Sequence, residues 1–197
     1  PLPWCDALEV LPRPAETETV LTLTGRPIPG EPATNLCRRA YELLRADFLR
    51  VPPVQIHLHK VVPIGAGLGG GSADAAFALR ALSTVLGLSL GDEQLEAYAR
   101  RLGSDCAFFI RNQPALALGR GDELQPLPLP QLRGAACKVV YPGLHISTAE
   151  AYAGVTPKAP AQELRAALAG PVESWRETVV NDFEASLAPK YPQLGQL

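Results

Sequence analysis

Hydrophobic and polar positions change period several times along this chain, and each change marks an element. Ala7–Leu11 and Thr19–Thr24 read as short strands, the second with Leu21 and Leu23 alternating with threonines. Residues 25–32 are rich in glycine and proline and read as a turn region. The period then becomes helical. Leu36, Ala40, Leu43, Leu44 and Phe48 share one face of a helix predicted over 35–48, capped by Thr34 or Asn35. Val54-Gln55-Ile56-His57-Leu58-His59 alternates cleanly and predicts a strand.

A second helix is predicted over 72–86. It is apolar on most sides, with Phe77, Leu79, Leu82 and Val85 among its expected buried residues. Ser89 and Asp92 have capping-box spacing and open a helix that runs to Leu102 and stops at Gly103. Ala115–Leu118 and Glu123–Leu127 predict a strand pair around Gly119-Arg120-Gly121, followed by a proline-rich linker at 126–130. Beyond it, Lys138–Tyr141 reads as a strand and Ser147–Glu150 as another capping box. Residues 161–169 and 171–187 read as helices, with Gly170 and Pro171 as stop and start. Strands and helices mix without a regular βαβ rhythm, which predicts an α+β fold.

Composition narrows the class. The chain has 197 residues, 47% of them hydrophobic and 19% charged, with a formal net charge of −2. That is a globular composition, long enough for a sizeable core. No basic block points to nucleic acid, and no apolar run reaches the roughly 20 residues of a membrane span. Cys5, Cys37, Cys106 and Cys137 are scattered, and with His57, His59 and His145 they show no zinc spacing. Reduced cysteines in a cytosolic protein are the reading preferred. His57, His59 and Gln55 share one strand face, read as solvated or facing a substrate. The chain starts at Pro1 and contains no methionine, so an internal piece of a longer protein is expected.

The chemistry concentrates in one run. Five of the eight positions from Gly65 to Ser72 are glycine, between a strand and an alanine-rich helix. Bare glycine backbone closes around an anion, and a helix start adds unpaired N–H groups and a positive dipole end. The run predicts a phosphate cradle. Gly65 and Gly70 have P-loop spacing, but Gly71 stands where the lysine belongs. Gly65, Gly67 and Gly70 match the dinucleotide pattern formally, yet no acidic residue lies between Ala75 and Gly91 to hold a ribose.

Pro63-Ile64-Gly65-Ala66-Gly67-Leu68-Gly69-Gly70-Gly71-Ser72 resembles instead the phosphate loop of the GHMP kinase superfamily. Further segments, in order along the chain, resemble one branch of it, the 4-diphosphocytidyl-2-C-methyl-D-erythritol kinases. They are Thr34-Asn35-Leu36, Leu102-Gly103-Ser104-Asp105-Cys106-Ala107-Phe108-Phe109, Gly119-Arg120-Gly121-Asp122-Glu123, Ser147-Thr148 through Tyr152, and Asn181-Asp182-Phe183-Glu184.

The resemblance implies an N-terminal domain like ribosomal protein S5 domain 2, over 1–132. It also implies the start of a ferredoxin-like C-terminal domain over 133–197. The implied reaction is ATP-dependent phosphorylation of the C2 hydroxyl of the methylerythritol substrate. Asp105 would be the catalytic base. Asn35, Leu36, Lys60, Pro63, Gly65, Ala66, Gly67, Leu68, Gly69, Gly70, Gly71, Ser72 and Ala73 would bind the nucleotide. Ser72 would also meet Mg²⁺, and Thr148 and Tyr152 would contact the cytidine part of the substrate.

Taken without the resemblance, Asp105 is an ordinary helix cap, Lys60 a strand-end surface charge, Ser72 and Asp74 helix caps, and Tyr152 a half-buried helix residue. The family's N-terminal lysine segment and C-terminal glycine loop are absent from this chain, so this polypeptide alone is expected to be inactive. Partners are expected to be small molecules, not nucleic acid or membrane, and a homodimer is compatible with the reading. The alternatives are another GHMP kinase, acting on mevalonate or homoserine, or a non-catalytic nucleotide-binding protein of the same fold.

Overall fold

In the computed structural model, which describes residues 1–144, 146–159 and 162–196, the chain divides into two units, Pro1–Pro126 and Leu127–Leu197. His145 and Ala161, both named above, lie outside the described residues.

The first unit is built on strand β3 (Val54–Lys60). It lies between β1 (Ala7–Pro12), antiparallel to it, and β2 (Val20–Gly25), parallel to it. The parallel pair requires a crossover, supplied by helix α1 (Leu36–Asp47). Period-2 alternation sends Val54, Ile56 and Leu58 inward, all essentially fully buried, and His57 and His59 outward. Lys60 follows the same inward row.

Helices α1, α2 (Gly70–Val85), α3 (Asp92–Leu102) and α4 (Cys106–Arg111) complete the core. Tyr41 and Leu44 of α1, Leu79 and Leu82 of α2, Leu95 of α3 and Ile110 of α4 fill it. Each large buried side chain contributes about 1.5–3 kcal/mol. Ala75, Ala76 and Ala78 of α2 are fully buried, so its backbone approaches its neighbours closely. Arg80 ties α2 to the Ile110 carbonyl (Nε–O 2.9 Å) and to Asp92 (2.8 Å). A hairpin of β4 (Ala115–Leu118) and β5 (Glu123–Pro126) ends the unit.

The cap on α1 is Asn35, whose side chain accepts from the Cys37 N–H at 2.9 Å; the Thr34 hydroxyl donates to Glu31 O instead. Three expectations need correction here. α2 opens at Gly70 rather than Ser72, because Gly69 takes the left-handed conformation that delivers the chain into the helix. Ser89 does not cap α3. It takes a φ of 54° in a link where the Ser83 hydroxyl accepts from Leu90 N–H, and α3 is capped at Gly91 by the Gln94 side chain. Phe77 and Val85 lie on the outer side of α2, 44% and 40% exposed.

The second unit carries short helices: α5 (Thr148–Ala153), α6 (Leu164–Ala169), α7 (Trp175–Thr178) and α8 (Glu184–Leu187). Ser147 caps α5 as its spacing predicts, accepting from the Glu150 N–H at 3.1 Å. The helix expected over 171–187 is broken, and Asn181 folds back to accept from Phe183 N–H at the break. Lys138–Tyr141 is not a strand. No strand among the described residues pairs with it, and an unpaired strand leaves its backbone groups unsatisfied. The fold of the chain is α+β.

Candidate active site

β3, α1 and α2 converge on the glycine run. Between the run and the 28–36 segment lies a cavity of about 380 Å³. Asn35, Leu36, Lys60 and every residue from Pro63 to Ser72 line it. Ala73 does not line it, and its N–H donates to Gly69 O at 2.9 Å inside the helix. Ile28, Pro29, Gly30 and Glu31, not singled out in the sequence, also line it, together with Thr34.

The cradle requires its glycines. Gly69 has a φ of 66°, and a Cβ there would lie 3.0 Å from the Phe109 ring. A Cβ on Gly70 would lie 3.1 Å from Lys60 Nζ. No side chain caps the N-terminus of α2, so its first N–H groups and its dipole face the cavity uncovered. The Ser72 hydroxyl sits in the first turn against the Cys106 thiol. Burial raises the pKa of that thiol, and the Ser72 contact works against the rise.

Beneath the run lies a cluster that corrects the expectation for Lys60. Its side chain is 3% exposed and its ammonium donates to Asp6 and Asp74, both at 2.6 Å. Asp6 Oδ1 also accepts from the N–H groups of Val61 (2.5 Å) and Val62 (2.8 Å). Burial opposes ionisation of Asp6, yet the Lys60 bond and the two N–H groups hold its carboxyl below the usual range. Asp74 behaves oppositely. Burial pushes it up to about 6, with Lys60 pulling down and Asp6 pushing up. Lys60 itself is raised, because its two carboxylates outweigh its burial. Asp74 is therefore no helix cap; it is the fifth residue of α2 and faces inward. The strand's own alternation carried the signal for Lys60, whereas Asp6, 54 residues away, had none.

A second cleft, of about 270 Å³, opens on the other side of the loop. Gly67, Leu68 and Gly69 form one wall, and Asp105, Phe108, Phe109, Ala117, Gly121 and Leu124 the rest. Asp105 occupies the N-cap position of α4, but with a φ of −78° and ψ of −13° its side chain makes no capping bond. Its carboxylate is exposed to the cleft and has no ion pair among the described residues. The glycine loop thus lies between the larger cavity and the Asp105 carboxylate.

Residues 35–119 match the model of the GHMP kinases N terminal domain. The 4-diphosphocytidyl-2-C-methyl-D-erythritol kinase of Cytophaga hutchinsonii is 44% identical over the whole chain, which spans 72% of that protein. The kinase of the same name from Bacteroides thetaiotaomicron is 44% identical over 98% of the chain and 70% of its own length. The chain belongs to the 4-diphosphocytidyl-2-C-methyl-D-erythritol kinase family.

A crystal structure of a 4-(cytidine 5'-diphospho)-2C-methyl-D-erythritol kinase superposes with a TM-score of 0.73 at 31% identity. The match covers 97% of this chain and 67% of that one. A homoserine kinase from Cytophaga hutchinsonii, at 15% identity and a TM-score of 0.63, shares the fold. Members of the family are small-molecule kinases, and ATP use goes with the GHMP domain.

Thr148 and Tyr152 belong to the second unit. Thr148 is exposed at the start of α5. Tyr152 is 66% exposed rather than half-buried, its ring edge-to-face with Phe183 at 5.1 Å.

Proposed function

We propose that this chain carries the phosphoryl-transfer site of a kinase that moves the γ-phosphoryl group of ATP to the 2-hydroxyl of 4-diphosphocytidyl-2-C-methyl-D-erythritol. The step belongs to the non-mevalonate route to isoprenoid precursors. One observation carries the reading: the uncapped Asp105 carboxylate lies across Gly67–Gly69 from the nucleotide cavity.

Backbone N–H groups of the loop and of the α2 N-terminus hold the phosphates. Asn35 and Leu36, which line the same cavity, are assigned to the base of the nucleotide. Asp105 takes the proton of the substrate hydroxyl as its oxygen bonds to the γ-phosphorus and the bond to the β-phosphate oxygen breaks. ADP leaves. Among the described residues no group of three His, Cys, Asp or Glu forms a metal site, so Mg²⁺ would be held by phosphate oxygens and water with the Ser72 hydroxyl as one protein ligand. Such an ion supplies charge neutralisation on the transferring group. Thr148 and Tyr152 are assigned to the cytidine end of the substrate.

All four cysteines are free, in keeping with a bacterial cytoplasmic location. No helix among the described residues is long and apolar enough to cross a membrane. Sedimentation analysis separates a monomer from a homodimer.

The test is Asp105→Asn in the complete enzyme. Turnover is expected to fall by about 10²–10⁴, with MgADP affinity within about threefold of the parent. Near-normal turnover removes Asp105 from the chemistry. Faster phosphorylation of mevalonate or homoserine than of the diphosphocytidyl substrate overturns the assignment of the acceptor.

A further inference from the structure

Among the described residues that line its cleft, Asp105 alone carries a polar side chain. Helix α4 supplies Phe108 and Phe109, their rings edge-to-face at 5.0 Å. The β4–β5 hairpin supplies Ala117 and Leu124, which stand opposite each other in its register and so share one face. Gly121, in the turn between those strands, has a φ of 90°, and a Cβ there would lie 3.9 Å from Asp105 Oδ1. The bare backbone at Gly121 leaves the space beside the carboxylate open.

We propose that Phe108, Ala117 and Leu124 select the acceptor by its branch: together they seat the methyl group on the carbon that bears the reacting hydroxyl. The inference rests on the acceptor and the role of Asp105 proposed above. A hydroxyl that gives its proton to Asp105 lies within hydrogen-bond reach of that carboxylate, about 2.6–3.2 Å. The carbon bearing it is one bond further away and has three other substituents. Two are carbon arms that carry oxygen, and the third is the methyl. Against Phe108, Ala117 and Leu124 an oxygen-bearing arm would lose hydrogen bonds to water that no side chain there replaces. The methyl has none to lose, so it is the substituent that faces the wall.

Seating the methyl also fixes how the carbon turns. Gly67 and Gly69 line both this cleft and the nucleotide cavity, so a carbon held by its methyl keeps its hydroxyl between Asp105 and the phosphate loop. A hydrogen in place of the methyl leaves a gap at the wall and frees that rotation. Both losses are felt in the transition state, so they appear in kcat/KM.

The experiment is direct competition, in the complete enzyme with MgATP, between 4-diphosphocytidyl-2-C-methyl-D-erythritol and 4-diphosphocytidyl-D-erythritol, which lacks the methyl. The ratio of the two kcat/KM values does not depend on how much enzyme is folded. The wild-type ratio is expected to favour the methylated substrate by about 10–100-fold. Ala117→Leu fills the seat. The methylated substrate is then expected to lose about tenfold or more in kcat/KM, while the other changes by less than about threefold. Leu124→Ala opens the seat and is expected to lower the ratio about fivefold. Equal kcat/KM values for the two substrates in the wild type, or a ratio unmoved in Ala117→Leu or in Leu124→Ala, overturns the proposal and leaves the kinase reading standing. Phosphorylation of neither substrate, or full turnover by Asp105→Asn, overturns the reading on which it rests.

Discussion

At the inner end of β3 one ammonium holds two carboxylates whose acidities move in opposite directions. Asp74 titrates higher in the folded chain, at about 6, than its ordinary 3.8. The folded state therefore binds more protons there than the unfolded state between these values, and stability falls as pH climbs through that window. Asp6 is depressed, so its contribution is present above its ordinary range and lost as pH falls through its folded value. Asp74→Asn is accordingly expected to gain about 2–3 kcal/mol relative to the parent at pH 7.5 compared with pH 4, read by urea unfolding at both.

Lys60→Met leaves two buried carboxylates without their cation. A loss of about 3–5 kcal/mol is expected at neutral pH, smaller in acid where the carboxyls protonate, checked by the same denaturation series. Half of this was available to a reading of the strand, although Lys60 taken alone reads as a strand-end surface charge. The alternation Val54, Ile56, Leu58, Lys60 turns the lysine inward, but no local pattern brings in Asp6, which only the β1–β3 register delivers.

Among the elements, α1 shows how a local signal becomes structure. Asn35 precedes the first apolar position of a helical stripe, and its side chain caps the Cys37 N–H. Asn35→Ala is expected to lower the stability of the chain by about 1 kcal/mol, measured as a shift in the urea midpoint. The start of α2 was less legible, since Gly70 and Gly71 are poor helix formers and would ordinarily be assigned to the loop. They enter the helix because Gly69 makes the turn and Lys60 and Val62 pack beneath Gly70. Gly69→Ala combines a left-handed backbone with a contact of 3.0 Å to Phe109. MgADP affinity is expected to fall about tenfold or more from the resulting shift of the loop, with partial recovery when Phe109 is also changed to Leu. Ser89 failed as a cap because the connection from α2 needed its residues for the turn, a requirement set by packing rather than by spacing.

For the whole molecule, the α+β class, the glycine cradle and the order of elements to β5 were written in local patterns. The second unit was legible only in part: Ser147 caps α5 as its spacing predicts, but Lys138–Tyr141 has strand composition with no strand among the described residues to join. The core of residues 7–110 is contained in the first unit. A polypeptide ending at Pro126 is therefore expected to unfold cooperatively on heating, with its apolar core intact, as calorimetry would show.

The strand order adds a constraint in time. β1 and β2 are neighbours in sequence, yet among the described residues each pairs only with β3, which enters between them. During synthesis β1 and β2 have no mutual ladder to form, and their pairing with Val54–Lys60 must wait for that strand. The central strand is thus the gate of assembly. Conservative truncations such as Ile56→Val are expected to slow folding, whereas trimming Leu21 or Val10 mainly speeds unfolding, a split that chevron kinetics resolves.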